Sequence, residues 1–288
     1  MQAIRYEAPG SVDDAVRLMQ ADPEARVLAG GTDLLVQCRA GVRRPTAFID
    51  IKRIPELVDI TVDAQGLRLG AATPAADICA DEHLRQQWPG LAEAAALIGS
   101  MQIQGRGSVG GNLCNASPAA DTPCPLIVNR AVCVIAGPQG RRTVEAEDFI
   151  SGPGQSVLGS GEFLAGLLLP LPAPSTADAY LRLTPRSEMD IAVVGAAVSV
   201  TLDKAGICTA ARVALAAVAP TPILVPDAAH ALIGTPVDPA ALDRAAEAAR
   251  AAARPIDDKR GTVAYRRQVA GVLTKRAAAI ACERARGN

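Results

Sequence analysis

Apolar residues recur along this chain at two spacings, and the spacing changes several times. Val12, Ala15, Val16 and Met19 fall on one helical face, and Ser11 ahead of them carries an oxygen suited to a first-turn amide, so a helix is predicted over 12–20. The apolar runs Arg26–Ala29 and Ala47–Ile51 read as short buried strands around a glycine turn. These first fifty residues form a small α/β unit. Leu57–Val62 and Leu67–Ala71 alternate as strands do, and Asp63-Ala64-Gln65-Gly66 between them has the chemistry of a hairpin turn. Helices are predicted over 74–80 and 84–98, the second carrying Leu91, Ala94, Ala95, Leu97 and Ile98 and ending at Gly99.

A glycine-rich passage, Gly105–Asn112, and a polar loop to Asp121 follow, then a short helix over 123–129 and strands near 132–136 and 142–144. No element is predicted before Ser11 or between Val144 and Pro170. Pro170-Leu171-Pro172-Ala173-Pro174 holds the chain extended and removes ladder donors, so it divides a first domain, 1–174, from a second, 175–288. The second begins with strands over 179–183, 191–201 and 212–218 and continues with helices over 226–233, 239–253 and 262–284. That order predicts an antiparallel sheet with helices on one face. The fold class is α+β.

Composition sharpens this picture. The 288 residues are 49% hydrophobic, but only seven are aromatic, so the core is to be built from Ala, Val, Leu and Ile. With 29 basic against 30 acidic side chains the net charge is −1, and nucleic-acid binding, which needs a basic face and stacking aromatics, is excluded. The longest apolar stretch, Ile191–Val200, is half of the ~20 residues a bilayer crossing needs. The start, Met1–Glu7, lacks a basic and apolar leader pattern, which predicts a soluble, cytoplasmic chain with no membrane insertion. Residues 254–286 carry nine basic and three acidic side chains, a solvated helix face or a subunit contact.

Seven cysteines with no C-x-x-C pair fit reduced, buried thiols rather than a disulfide framework or zinc site. His83 and His230 are the only histidines, and neither sits in a metal-binding or triad context. No metal ligand and no catalytic side chain is assigned. Gly105-Arg106-Gly107-Ser108-Val109-Gly110 satisfies G-x-G-x-x-G literally. Its surroundings do not suit a dinucleotide fold: no strand precedes it, residues 112–118 do not open a helix cleanly, and the position twenty beyond Gly110 is Arg130 rather than an acid. No P-loop pattern occurs.

Two glycine segments, Ala29–Leu35 and Ser108–Asn112, suit an anion such as a diphosphate. Paired glycines let successive amides converge on one oxygen, and Thr32, Ser108 and Asn112 add short polar side chains. Asp121 stands ready to accept from a sugar hydroxyl. The combination A-G-G-T-D-L-L at 29–35, I-G-S-x-Q-I at 98–103 and S-V-G-G-N-L-C-N-A-S-P-A-A-D at 108–121 resembles the FAD-binding medium subunit of the molybdenum hydroxylases. Those enzymes include xanthine dehydrogenase, carbon monoxide dehydrogenase and bacterial N-heterocycle hydroxylases. The likeness continues through Asp190–Gly195, Val218–Pro222 and Tyr265-Arg266-Arg267, and so covers essentially the whole chain.

The resemblance implies a two-part FAD-binding domain of the vanillyl-alcohol-oxidase type, with subdomains about 1–56 and 57–174, closed over by an α+β C-terminal domain. It implies non-covalent FAD. The cofactor set is Ala29, Gly30, Gly31, Thr32, Asp33, Leu34 and Leu35 with Ser108, Val109, Gly110, Gly111 and Asn112 around the diphosphate, amides of Gly30, Gly31, Gly110 and Gly111 donating. Asp121 corresponds to an aspartate at the ribityl or phosphate region, Leu164 to an adenine-side contact, and Ile98 and Ile191 to the flanks of the ring. Arg182 stands where many relatives have Lys. No cysteine-bearing insertion of the kind that holds a [4Fe–4S] cluster in one branch is present. Molybdopterin and [2Fe–2S] clusters are implied in a large and a small partner subunit, assembled as a dimer of heterotrimers that passes electrons to an external acceptor. A stand-alone FAD oxidase and a flavin-free interaction subunit are the alternative readings of the residues.

Overall fold

The computed structural model describes residues 4–288; Met1, Gln2 and Ala3, the start of the segment read for a leader, lie outside them. The first unit alternates strand and helix: β1 (Arg5–Glu7), α1 (Val12–Ala21), β2 (Arg26–Leu28), α2 (Leu34–Arg39) and β3 (Ala47–Asp50). Ser11 caps α1 by accepting from the Asp14 amide at 3.1 Å, and Val12, Ala15, Val16 and Met19 are buried on its inner face. The strands form a parallel sheet in the order β1-β3-β2, with Val27 opposite Ile49. β1, absent from the sequence-based expectation, is too short and too exposed to show an alternation.

The chain then makes the hairpin β4 (Ile60–Asp63) and β5 (Gly66–Gly70), followed by the helices α3 (Ala75–Ala80), α4 (Glu82–Gln87), α5 (Pro89–Ala96), α6 (Met101–Gln104), α7 (Val109–Asn115) and α8 (Pro123–Val128). The single helix expected over 84–98 is two, because Pro89 cannot continue α4 and instead opens α5 at its first position. A helix also begins inside the glycine-rich passage, contrary to expectation. Ser108 caps α7 by accepting the Gly111 amide at 3.0 Å, and this offsets the poor helix propensity of Gly110 and Gly111.

β6 (Val132–Gly137), β7 (Gly140–Glu145), α9 (Ala146–Phe149), β8 (Ile150–Gly152), β9 (Gln155–Ser156) and β10 (Phe163–Leu169) complete this half. Its antiparallel sheet runs β4-β5-β10-β6-β7, so β10, which no sequence signal predicts, is the central strand. Residues 170–173 carry no regular structure.

The remainder is β11 (Thr176–Leu183), β12 (Val194–Leu202), β13 (Cys208–Ala216), β14 (Ile223–Leu224), α10 (Pro226–His230), α11 (Pro239–Ala252) and α12 (Val263–Gly287). The four strands pair antiparallel in chain order. The domain's own helices, α10–α12, lie on one face as expected, and α5 and α8 of the preceding half cover the other. Val194, Ala196, Val198, Val213 and Leu215 pack against α11 and α12, while Tyr180, Ala197, Ala214 and Ala216 point the other way, into the core of the preceding half with Trp88, Leu91 and Leu126. The scarce aromatics Trp88, Phe149 and Tyr180 are the largest fully buried side chains.

Polar bonds pin this contact. The buried Asp178 carboxylate accepts from the Gly90 amide at 3.0 Å and from Asn129 Nδ2 at 2.6 Å, and Glu93 accepts from the Tyr180 amide and pairs with Arg284. Among the described residues, no helix is long and apolar enough to cross a membrane.

Candidate cofactor site

The two halves of the N-terminal region meet where the turn after β2 lies on the loop between α6 and α7. A Cβ on Gly30 would stand 1.7 Å from the Arg106 carbonyl oxygen, so only glycine lets these backbones touch. Gly31 adopts φ +75°, which turns the chain into α2. On the other side, a Cβ on Gly110 would stand 2.3 Å from the Ala71 carbonyl oxygen. That glycine seats α7 on the end of β5. Its φ is not positive, so the need for glycine there comes from this close approach of backbone.

A cavity of about 590 Å³ opens along this seam. Arg26–Leu34 and Gln37 form one wall. Ile98, Gly107, Ser108, Gly110–Asn112, Cys114 and Asn115 form the second, and Gly154, Ser156 and Leu158–Leu164 close the end. Gln37 Nε2 donates to Asn115 Oδ1 at 2.9 Å, tying α2 to α7 across the seam. Among the described residues, no protein group accepts from the amides of Gly30, Gly31, Thr32, Asp33 or Gly110. The Gly111 amide is different, being already spent on the Ser108 cap. A cluster of free amides on two abutting turns is a receptacle for anionic oxygens. Leu28, Leu34, Leu158 and Leu164 line the same cavity and supply surface for flat, apolar groups.

Of the residues singled out in the sequence, Ala29, Gly30, Gly31, Thr32, Asp33, Leu34, Ile98, Ser108, Gly110, Gly111, Asn112 and Leu164 lie together on this wall. Asn112 also serves the fold, its Oδ1 accepting from Thr122 Oγ1 at 2.7 Å. Five others stand off the wall. Leu35 is partly exposed on α2, Val109 is buried in the core, and Ile191 is half-exposed in the loop after β11. Asp121 and Arg182 pair with each other at 2.7 Å, and Tyr180 donates to the second Asp121 oxygen at 2.8 Å. Burial pushes the Asp121 carboxyl up to about 6, against the opposing pull of Arg182.

Sequence reasoning passed over Gln37, Arg43, Asn115, Ser156 and Ser160. The spaced glycines at 152, 154, 159 and 161 mark the loop that carries two of them. That loop is braced from behind: Glu162 accepts from the Gly159 amide at 2.7 Å and from Arg142 at 2.8 and 2.7 Å, and the Arg142 bonds hold its carboxyl below the usual range. Cys114 is the one thiol on the wall, and burial raises it to about 12, so it is protonated at neutral pH. No group of three or more His, Cys, Asp or Glu side chains suited to a metal ion occurs among the described residues.

Comparison with known proteins agrees with this geometry. Residues 2–172 match the model of the FAD binding domain in molybdopterin dehydrogenase, and residues 179–281 match that of the CO dehydrogenase flavoprotein C-terminal domain. The chain is 34% identical to the carbon monoxide dehydrogenase medium chain of Afipia carboxidovorans, covering 98% of this chain and 97% of that protein. It is 31% identical to the xanthine dehydrogenase FAD-binding subunit of Escherichia coli O157:H7 over 94% of this chain and 93% of that one. The structure superposes on a chain of carbon monoxide dehydrogenase from Hydrogenophaga pseudoflava with a TM-score of 0.92 at 36% identity, covering 98% of each. With both halves of the chain accounted for by models of one kind of subunit, this protein belongs to the family of FAD-binding medium subunits of the molybdenum hydroxylases.

Proposed function

We propose that this chain is the electron-transfer subunit of a multi-subunit molybdenum hydroxylase. On this reading it takes electrons from [2Fe–2S] clusters of a small partner subunit, which drains a large molybdenum subunit, and delivers them to an external acceptor. The observation that carries the reading is the row of free amides on the abutting turns at Gly30–Asp33 and at Gly110, beside apolar walls. That receptacle fits a diphosphate joined to two flat groups. Bound FAD supplies the redox chemistry, exchanging one electron at a time on one side and two on the other.

The chain's own residues hold and orient. Ala29–Leu34 with Ser108 and Gly110–Asn112 grip the diphosphate, Leu164 lies at the adenine side, and Ile98 flanks the ring. Asp121, Arg182, Ile191, Leu35 and Val109 belong to the set through the resemblance; because they stand off the cavity wall, they act through the loops they brace. The absence of histidine or tyrosine on the wall, and the protonated state of Cys114, support non-covalent attachment. No side chain there acts as a general base. The rest of the reading is a cytoplasmic dimer of heterotrimers in which this chain divides at 174/175.

The test is the absorbance spectrum of the full chain with whatever co-purifies, followed by heat release and chromatography of the flavin. About one FAD per chain, with iron–sulfur absorption from companion subunits, is the expected result. A folded, colourless chain that takes up no added FAD overturns it.

A further inference from the structure

Lys52 stands just beyond β3, behind the turn that carries the free amides. Its Nζ donates to the Ala29 carbonyl at 2.7 Å and to Asp50 Oδ1 at 2.6 Å, and its side chain is 24% exposed. Asp50, with a side chain only 9% exposed, is itself fixed: Oδ1 also accepts the Lys52 amide, and Oδ2 accepts the Tyr6 hydroxyl. Lysine and aspartate neutralise each other. What the network gives the turn is direction rather than net charge.

From this geometry we infer that Lys52 is a positioning residue for the FAD diphosphate, acting through the Ala29–Gly30 peptide. The inference rests on the FAD reading above. A peptide is planar and trans, so holding the Ala29 carbonyl toward Lys52 sends the Gly30 N–H the opposite way. Gly30 lines the cavity, and its amide finds no acceptor within the protein. A charged donor on the carbonyl also polarises the peptide and strengthens that N–H as a donor. Gly30, on one side of that peptide, imposes little preference of its own on the orientation, so a bond from outside helps to set it. Lys52, with Asp50 and Tyr6 behind it, supplies that bond.

The experiment titrates FAD into the flavin-stripped full chain carrying Lys52→Met, Lys52→Arg or no substitution, with melting of the flavin-free forms alongside. Loss of one charge-assisted bond to the turn is expected to raise the FAD dissociation constant about tenfold. The flavin-free melting temperature stays near that of the wild type, and Lys52→Arg restores most of the affinity. Lys52→Gln, which keeps a donor without the charge, carries the test if Lys52→Met does not fold. Wild-type affinity in Lys52→Met, or a loss that tracks lowered melting and is not rescued by Lys52→Arg, overturns the inference and leaves the FAD reading standing. A folded wild-type chain that takes up no FAD overturns both.

Discussion

Replacing Arg182 with Met tests whether the Asp121–Arg182 pair is the polar pin between the 117–122 loop and β11. The two side chains are 7% and 8% exposed and 2.7 Å apart. Asp121 ionises at about 6 in the fold against an ordinary 3.8. Even with Arg182 beside it, the charged form therefore costs about 3 kcal/mol more in the fold than in the unfolded chain. Because that pKa is raised, the stability this group contributes is complete below pH 3.8 and is lost as pH rises through about 6. Without the guanidinium the pKa climbs further, and the loss extends to higher pH.

The expected outcome is therefore pH-dependent. At pH 5, where Asp121 is protonated in the fold, Arg182→Met changes stability by no more than about 1 kcal/mol. At pH 8 it costs about 3–5 kcal/mol, as stranding one member of a buried pair does. The double variant Asp121→Asn/Arg182→Met recovers most of that loss at pH 8. Urea unfolding of the flavin-free chain at the two pH values measures all three. An equal loss at both pH values, or a double variant no more stable than Arg182→Met alone, refutes the reasoning.

Gly30→Ala places a methyl on the Arg106 carbonyl and forces the turns apart, at a cost of about 1–3 kcal/mol or more; calorimetry and the flavin-to-protein ratio should both fall. Ser108→Ala removes the α7 cap and about 1 kcal/mol, seen as a drop of roughly 2–4 °C in Tm. Asp178, buried and raised to about 6, contributes stability that is present below pH 3.8 and lost as pH rises through 6. Asp178→Asn should flatten that part of the stability–pH profile by up to about 3 kcal/mol, as measured by denaturation at pH 4.5 and 8. Cys114, Cys124 and Cys133, all with thiols pushed to about 12 or beyond, should stay unlabelled by iodoacetamide at pH 7.5 in the folded chain, read by mass spectrometry.

Local chemistry made much of this structure legible. Ser11 before an apolar helical face and Asp63–Gly66 between alternating strands each speak within a few residues, and their elements are found nearly where expected. β10 was not legible. Phe163–Leu169 is a plain apolar run between glycines and prolines, and its place at the centre of the sheet comes from pairing with β5 and β6, which lie far away in sequence. The start of α7 was hidden because glycine propensity argued against a helix that one serine cap sustains. At the site, the paired glycines drew attention to the right segments, but their tasks differ. Gly30 and Gly110 yield space to neighbouring backbone while keeping their amides free, whereas Gly111 spends its amide on the Ser108 cap. Asp121 was visible as a polar residue in a suggestive spacing, yet nothing local showed that Tyr180 and Arg182, some sixty positions on, would enclose it.

The cavity wall is shared between Arg26–Leu34 and Gln37 beside one sheet and Ile98, Ser108, Gly110–Asn112 and Leu158–Leu164 beside the other. Neither half owns a binding site. A ligand bridging that seam is mortar as well as cargo: its binding free energy adds to the cohesion of the two sheets and appears as a concentration-dependent rise in melting temperature. The converse follows by the same linkage. Anything that tilts one sheet against the other, including a companion protein leaning on α2, changes how long the ligand stays, so retention time reports strain imposed from outside the pocket.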